Sequence, residues 1–333
     1  MADQYVLFGG GGHGPFSAVV DVFKVDGDTL SAVTDHGLAL SEARRYPAAA
    51  SCGNYILFAG GWEFFDTVDV FHVTASGVEA VTGHGLSLSE ARAELAAARV
   101  GNYIVFGGGW NDSFSAVVDV FKVDGDTLSA VTDHGLALSE ARDTLAAASC
   151  GNYILFAGGE KQTGVSSSVI DIFKVNSDGT FETVTHNLSL SQARRGLAAA
   201  RVGNYIVFGG GWNDYSSPEY FDTVDVFHVT ANGIEAVTNH GLSLSAPRGG
   251  LAAATIGNHV LFAGGWDATD SESNVVDVFK VTENGVEAVT GHGLSLSQPR
   301  ADLAGASIGN YAVFAGGYAN DSYFNTVDVF QAT

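Results

Sequence analysis

The side chains best suited to ligand chemistry are the arginines, and they are not scattered. All ten fall in one recurring stretch of the chain, six of them in register at Arg44, Arg92, Arg142, Arg194, Arg248 and Arg300. Arg45 and Arg195 are adjacent to members of that set, and Arg99 and Arg201 follow a few residues on. A guanidinium presents forked donors that bind a carboxylate bidentately, at about 1.5–3 kcal/mol per charge-assisted bond. Such a set predicts an anionic ligand or an acidic peptide. The competing expectation is internal pairing. Glu42, Glu90 and Glu140 stand two residues before the arginine, and Glu63, Asp66, Asp112, Asp214, Glu219, Asp222, Asp267, Asp270 and Asp321 occupy a second recurring loop.

That second loop also holds all four tryptophans, Trp62, Trp110, Trp212 and Trp266, with Tyr318 at the equivalent position. Phe64, Phe65, Phe114, Tyr215, Tyr220, Phe221, Tyr323 and Phe324 lie close by. Rigid aromatic area on loops suits protein recognition, and flat rings suit stacking on sugars. A tryptophan recurring at one offset also suits a structural plug, so the irregular aromatics Phe64, Tyr215, Tyr220 and Tyr323 are the stronger functional candidates. The candidate ligand-binding set is therefore the six arginines in register with Trp62, Phe64, Trp110, Trp212, Tyr215, Tyr220, Trp266, Tyr318 and Tyr323.

Other reactive side chains read as structural. Asp21, Asp69, Asp119, Asp171, Asp225, Asp277 and Asp328 occur once per repeat, whereas a catalytic group is normally unique; they predict an internal hydrogen bond. Six of the ten histidines, His36, His84, His134, His186, His240 and His292, recur after one strand signal and predict turn residues, too dispersed to converge on a metal. Cys52 and Cys150 replace the Val or Ile of other copies and predict buried thiols. Two cysteines form no disulfide framework, and no Cys/His cluster reads as a zinc site. No cofactor and no catalytic residue are assigned.

The positions of these residues follow from an internal repeat. NYILFAGG at 54 returns as NYIVFGGG at 102 and 204, NYILFAGG at 152, NHVLFAGG at 258 and NYAVFAGG at 310, with QYVLFGG at 4 as an opening copy. The period of roughly 50 residues belongs to propeller blades rather than helical repeats. A VDVF-type strand follows each copy, then an AVT or TVT strand, a polar loop containing SEAR or its equivalent, and an alanine-rich strand. Four short strands per unit result. Both parities of NYILF are apolar, which predicts strands buried on both faces between neighbouring sheets. The Ala48–Ala50 type of strand fits the crowded innermost position. The SEAR segment is far too short for a stable helix.

The glycine doublet, the V-x-V-F strand and the arginine after a short polar loop resemble kelch repeats over the whole chain. The usual Trp of the fourth kelch strand is replaced here by the AVT phrase, and the usual Tyr of the third by Phe. The resemblance implies a single all-β domain over 1–333, a seven-bladed kelch-type β-propeller. Its blades span approximately 4–36, 47–84, 95–134, 145–187, 196–240, 250–292 and 302–333. It also implies that the doublet loops and the arginine loops share one face. Strand counting leaves the first blade without an inner strand and the last without an outer one, an incomplete seam. A six-bladed alternative would complete the first blade with Ala304–Ile308 but orphan the hairpin from Tyr311 to Thr333.

Composition narrows the partners. The formal charge is -22, from 37 acidic and 15 basic side chains, which disfavours nucleic acid and anionic membranes. Neither a secretory leader nor an apolar run near the ~18 residues of a membrane helix is visible, so the chain reads as soluble with its location undetermined. Long identical stretches, such as 17–44 and 115–142, place function where the copies differ. Three functional readings follow. The first is a non-catalytic recognition or scaffold module for a protein, peptide or glycan. The second is a carbohydrate-active enzyme, since kelch propellers include copper-radical oxidases and sialic acid epimerases. The Cys, Tyr and His set of the oxidases is not found, and an epimerase-like proton transfer would fall to Glu160 or Glu219. The third is a purely structural, amplified or designed repeat.

Overall fold

The computed structural model of the protein describes residues 4–12, 15–161, 165–213 and 219–332. The chain divides into two compact units, one of residues 1–143, 152–154 and 171–184, the other of 144–151, 155–170 and 185–333. Both are all-β, and among the described residues there is no α-helix, hence none long and apolar enough to cross a membrane.

In the first unit β1 (Tyr5–Gly9), β2 (Val20–Asp26) and β3 (Thr29–Val33) form a three-stranded antiparallel sheet. The strands β4 (Ala48–Cys52), β5 (Tyr55–Ala59), β6 (Val68–Thr74) and β7 (Gly77–Val81) form a four-stranded one in chain order, which Ala96–Val100 to Thr127–Val131 repeat. The second unit holds two more four-stranded sheets, Ala198–Val202 to Gly233–Val237 and Ala252–Ile256 to Gly285–Val289. It also holds a three-stranded sheet of Ala304–Ile308, Tyr311–Ala315 and Val327–Gln331. The fourth repeat is divided, with Ala146–Cys150 in the second unit and the hairpin pairing Val175 with Phe181 in the first. Small antiparallel sheets in chain order are consistent with the blades of a propeller.

The two-faced burial expected of the NYILF strands is present. All five residues of β5 are buried. Because side chains alternate across a strand, Ile56 and Phe58 pack with Leu7, Val20 and Val22 of the first sheet, while Leu57 and Ala59 pack with Ile104 and Phe106 of the third. Most sheets also carry an edge-to-face phenylalanine pair between second and third strands, such as Phe58–Phe71 at 5.9 Å and Phe208–Phe227 at 5.9 Å, worth about 0.5–1.5 kcal/mol beyond area burial. Alanine-rich strands of successive sheets lie side by side, β4 against Ala96–Val100 and Ala252–Ile256 against Ala304–Ile308. A Cβ on Gly305 would sit 2.5 Å from the Ala253 carbonyl oxygen, which shows how tightly that position is packed.

Among the described residues the sheets at the two ends of the chain have three strands each, β1-β2-β3 at one end and Ala304–Ile308, Tyr311–Ala315 and Val327–Gln331 at the other, as the strand signals imply. Ala304–Ile308 pairs with Tyr311–Ala315 in its own sheet, Ala304 opposite Ala315.

The recurrent histidines are turn residues. Nδ1 of His36, His84, His134, His186, His240 and His292 accepts the backbone N–H two residues on, each at 3.0 Å. Burial holds the imidazoles of His84 and His134 below their ordinary value, so below about pH 6.5 the unfolded chain binds more protons than the folded one. This contribution to stability is complete above that pH and is lost as the pH falls through it; protonation also removes the Nδ1 acceptor. The urea midpoint is expected to be lower at pH 5.5 than at pH 7.5, and equal midpoints would refute the linkage.

Candidate functional site

In five repeats the two loop sets meet at the same end of the sheet, joined by backbone hydrogen bonds. The N–H of Trp62 donates to the Arg45 carbonyl at 2.8 Å, Ala93 and Trp110 exchange bonds at 2.9 Å, and Arg195 and Trp212 exchange bonds at 2.9 and 3.0 Å. Trp266 pairs with Gly249, and Tyr318 with Ala301. The second glycine of a doublet then reaches forward to the following arginine wherever one follows: Gly61 donates to the Arg92 carbonyl at 3.0 Å and Gly211 to that of Arg248 at 2.8 Å.

The six arginines in register are buried, each side chain 0% exposed, and each forms an ion pair with the third-strand aspartate of its repeat. Arg92 reaches Asp119 at 2.6 Å, and Arg194 and Arg300 reach Asp225 and Asp328 at 2.7 Å; Arg44, Arg142 and Arg248 pair with Asp69, Asp171 and Asp277. The other carboxylate oxygen accepts the backbone N–H of the serine three residues before the arginine, as with Ser89 on Asp119 at 2.9 Å and Ser245 on Asp277 at 2.9 Å. Ser41, Ser139, Ser191 and Ser297 repeat that bond. Remaining guanidinium donors hold strand-end carbonyls, those of Gly108 for Arg92 and of Gly264 and Val275 for Arg248. Burial brings the Arg44 guanidinium down to about 10, so it stays protonated at neutral pH. This is a clamp that fastens the arginine loop onto its sheet, and it leaves these six side chains no surface for a ligand carboxylate.

The acids that precede the arginines serve elsewhere. Glu42 accepts from the Thr67 hydroxyl at 2.8 Å, and Glu90 bonds the hydroxyl of Ser115.

The aromatic candidates remain at the surface. In the first unit Trp62 and Trp110 stack at 5.6 Å and 18°, and Phe64 meets Trp110 edge-on at 5.0 Å and Trp62 at 5.8 Å. All three are half-buried. The guanidinium of Arg45 lies 4.9 Å from the Trp62 ring, 5.1 Å from Tyr46 and 5.7 Å from Phe16, and Tyr46 is 39% exposed. Phe64 also holds a left-handed backbone, φ 60°, an unfavourable conformation for a bulky residue. Around this cluster Glu63, Asp66 and Asp112 are exposed.

In the second unit the tryptophans lie closer to the structural reading. The ring of Trp212 covers Gly196 and Gly249, and that of Trp266 covers Gly250, leaving no room for a Cβ at those glycines. Trp212 also lies 5.5 Å from the guanidinium of Arg195, which is buried against Glu160. Glu160, one of two candidate proton carriers, is thereby committed to an internal pair. Tyr220 donates to Asp270 at 2.9 Å and Tyr318 to Asp321 at 2.8 Å, so burial and the neighbouring carboxylates hold the Tyr220 phenol above its ordinary value. Tyr323 is 48% exposed and meets Tyr318 at 5.1 Å. A shallow hollow in the same unit is lined by Val165, Ser166, Gln192, Asn213, Glu219 and Phe221. Tyr215 and Asp214 lie outside the described residues.

Cys52 and Cys150 are each 2% exposed, and their thiols lie against the carbonyls of Gly101 and Gly203. Among the described residues no group of three His, Cys, Asp or Glu side chains is placed to hold a metal. No protein-family model matches the chain, and no curated protein matches it in sequence.

Sequence reasoning missed the partner of the arginines. Arginine and aspartate are 27 residues apart at Arg92, 29 at Arg142 and Arg248, and 28 at Arg300, because the intervening aromatic loop changes length. The available signal was one-to-one recurrence in every repeat that has both.

Proposed function

We infer that the chain is a seven-bladed kelch-type β-propeller with an incomplete seam, acting as a non-catalytic recognition module that binds a peptide segment of a partner protein through its aromatic loops. The stacked Trp62–Trp110 pair with Phe64 carries this reading, since three half-exposed rings on loops anchored to sheet ends form a rigid apolar platform. An acidic partner loses its support, because the six arginines that would attract it are buried in pairs. Beside the half-buried Arg45, which already lies against Trp62, what faces solvent near the rings is Glu63, Asp66 and Asp112 in one unit and Asp270 and Asp321 in the other, so carboxylates are in excess. Rings rimmed by carboxylates favour a peptide carrying Lys or Arg, through cation–π contact and long-range attraction.

The test is an array of cationic, neutral and acidic peptides together with glycans, followed by titration of the best hit. Cationic peptides are expected to bind, with affinity falling as salt rises and at least tenfold weaker binding by the Trp62→Ala/Trp110→Ala variant. Glycan binding alone, or unchanged peptide affinity in that variant, overturns the reading.

A further inference from the structure

Arg45 sits among aromatic rings at the edge of the platform. Its guanidinium lies 4.9 Å from the ring centre of Trp62, 5.1 Å from that of Tyr46 and 5.7 Å from that of Phe16, so three rings surround one planar cation. Phe16, Trp62 and Arg45 are half-buried and Tyr46 is 39% exposed, so the group is open to solvent. Arg195 occupies the equivalent position against Trp212, but its side chain is 1% exposed and fixed by the pair with Glu160. Arg195 is locked in the interior; Arg45 is within reach of a ligand.

The ring set is built by departures from the repeat. The position of Tyr46 is filled by Glu94, Thr144, Gly196, Gly250 and Asp302 in the other copies, none of them aromatic. Tyr46 holds a left-handed backbone there, φ 54°, a conformation unfavourable for a bulky side chain. Beside Trp110 the position of Arg45 is filled by Ala93. Backbone anchoring is independent of the Arg45 side chain, because the Trp62 N–H donates to the Arg45 carbonyl at 2.8 Å. The guanidinium can therefore leave the rings by rotation about side-chain bonds, with the loop still tied in place.

We propose that Phe16, Tyr46 and Trp62 form a guanidinium site, which Arg45 fills from within and which an arginine of the partner peptide takes by displacing it. The occupant defines the class of ligand: a flat, weakly hydrated cation that stacks on ring faces, which a compact, strongly hydrated ammonium does less well. Arg45 thereby sets the affinity, since each incoming arginine competes with it. Glu63 and Asp66, exposed on the Trp62 loop, attract the incoming cation. The proposal rests on the aromatic loops receiving a cationic peptide, and the experiment separates the two.

Isothermal titration calorimetry with the peptide amides acetyl-Arg-Gly-Arg-Gly-Arg and acetyl-Lys-Gly-Lys-Gly-Lys compares the protein with its Arg45→Ala and Arg45→Gln variants. Glutamine keeps part of the aliphatic stem and so guards against collapse of the loop. Both variants are expected to bind the arginine peptide about threefold or more tightly than the protein does, with a smaller gain for the lysine peptide. The gain is expected to persist at about 0.5 M salt, where long-range attraction is screened, because freed ring faces produce it rather than the lost positive charge. Arginine-peptide affinity that is unchanged or weakened in Arg45→Gln overturns the proposal and leaves the platform standing. So does an equal gain for the two peptides, or a gain abolished by salt. Binding by none of the three proteins overturns the platform and the proposal together.

Discussion

Replacing Arg194 with alanine is expected to lower the unfolding free energy by about 3–5 kcal/mol, the range for removing one partner of a buried ion pair. The size follows from what is left behind. Asp225 loses its 2.7 Å guanidinium partner inside the sheet edge, and among the described residues the Ser191 N–H remains to hold the carboxylate. Asp225→Ala is expected to cost a similar amount, since it strands the charge of an arginine with 0% exposure. The double variant should cost less than the sum of the two, because each single change already removes the pair. Urea denaturation of the three variants measures this. A loss below about 1 kcal/mol for Arg194→Ala, the size of a surface ion pair, would show that the clamp does not anchor its loop.

The second large effect is expected at Gly210, the first glycine of a doublet. Its backbone is left-handed at φ 69°, its N–H donates to Thr223 at 3.0 Å, and a Cβ there would lie 2.5 Å from the Arg248 carbonyl oxygen and 2.8 Å from Leu251 Cδ2. Gly210→Ala therefore combines a left-handed penalty with a backbone clash, together about 2–4 kcal/mol. Gly241 is the matched control: φ is 65°, but nothing lies within 4 Å of a Cβ built there. Gly241→Ala is expected to cost only about 1 kcal/mol. Equal losses at the two positions would remove the close approach between the doublet and the next arginine as the reason for the glycine.

Both effects concern the same structural economy. The arginine ties its loop to its own sheet through the aspartate, and its carbonyl receives the doublet N–H of the preceding sheet. One residue therefore serves two sheets, which is a physical reason for its recurrence and its burial. The polar turn before it is closed by histidine, and the loop after the doublet is free to vary in length and aromatic content without disturbing either tie.

Much of this was legible in the amino acid order. The repeat period, the four strand signals, the two-faced apolar strands such as Tyr55–Ala59, the alanine strands and the shortened first and last sheets all depend on local alternation and on contacts between neighbouring sheets. Those contacts recur every repeat, so each copy confirms the others. The internal roles of the aspartates and histidines were legible for the same reason, since a residue that recurs in nearly every unit serves the unit, and the two cysteines were legible because they stand where other copies have Val or Ile.

What the order of residues could not decide was which acid each arginine takes and which aromatic rings stay at the surface. Glu90 and Asp112 were the acids expected near Arg92, whereas the pairing with Asp119 depends on a strand reversal that brings residues 27 apart together. Likewise Trp62 and Trp212 share one offset, yet Trp62 stacks on Trp110 while Trp212 is laid over Gly196 and Gly249. Side-chain direction at a loop is set by the neighbours that packing supplies, and those neighbours differ between repeats even where the repeat itself does not.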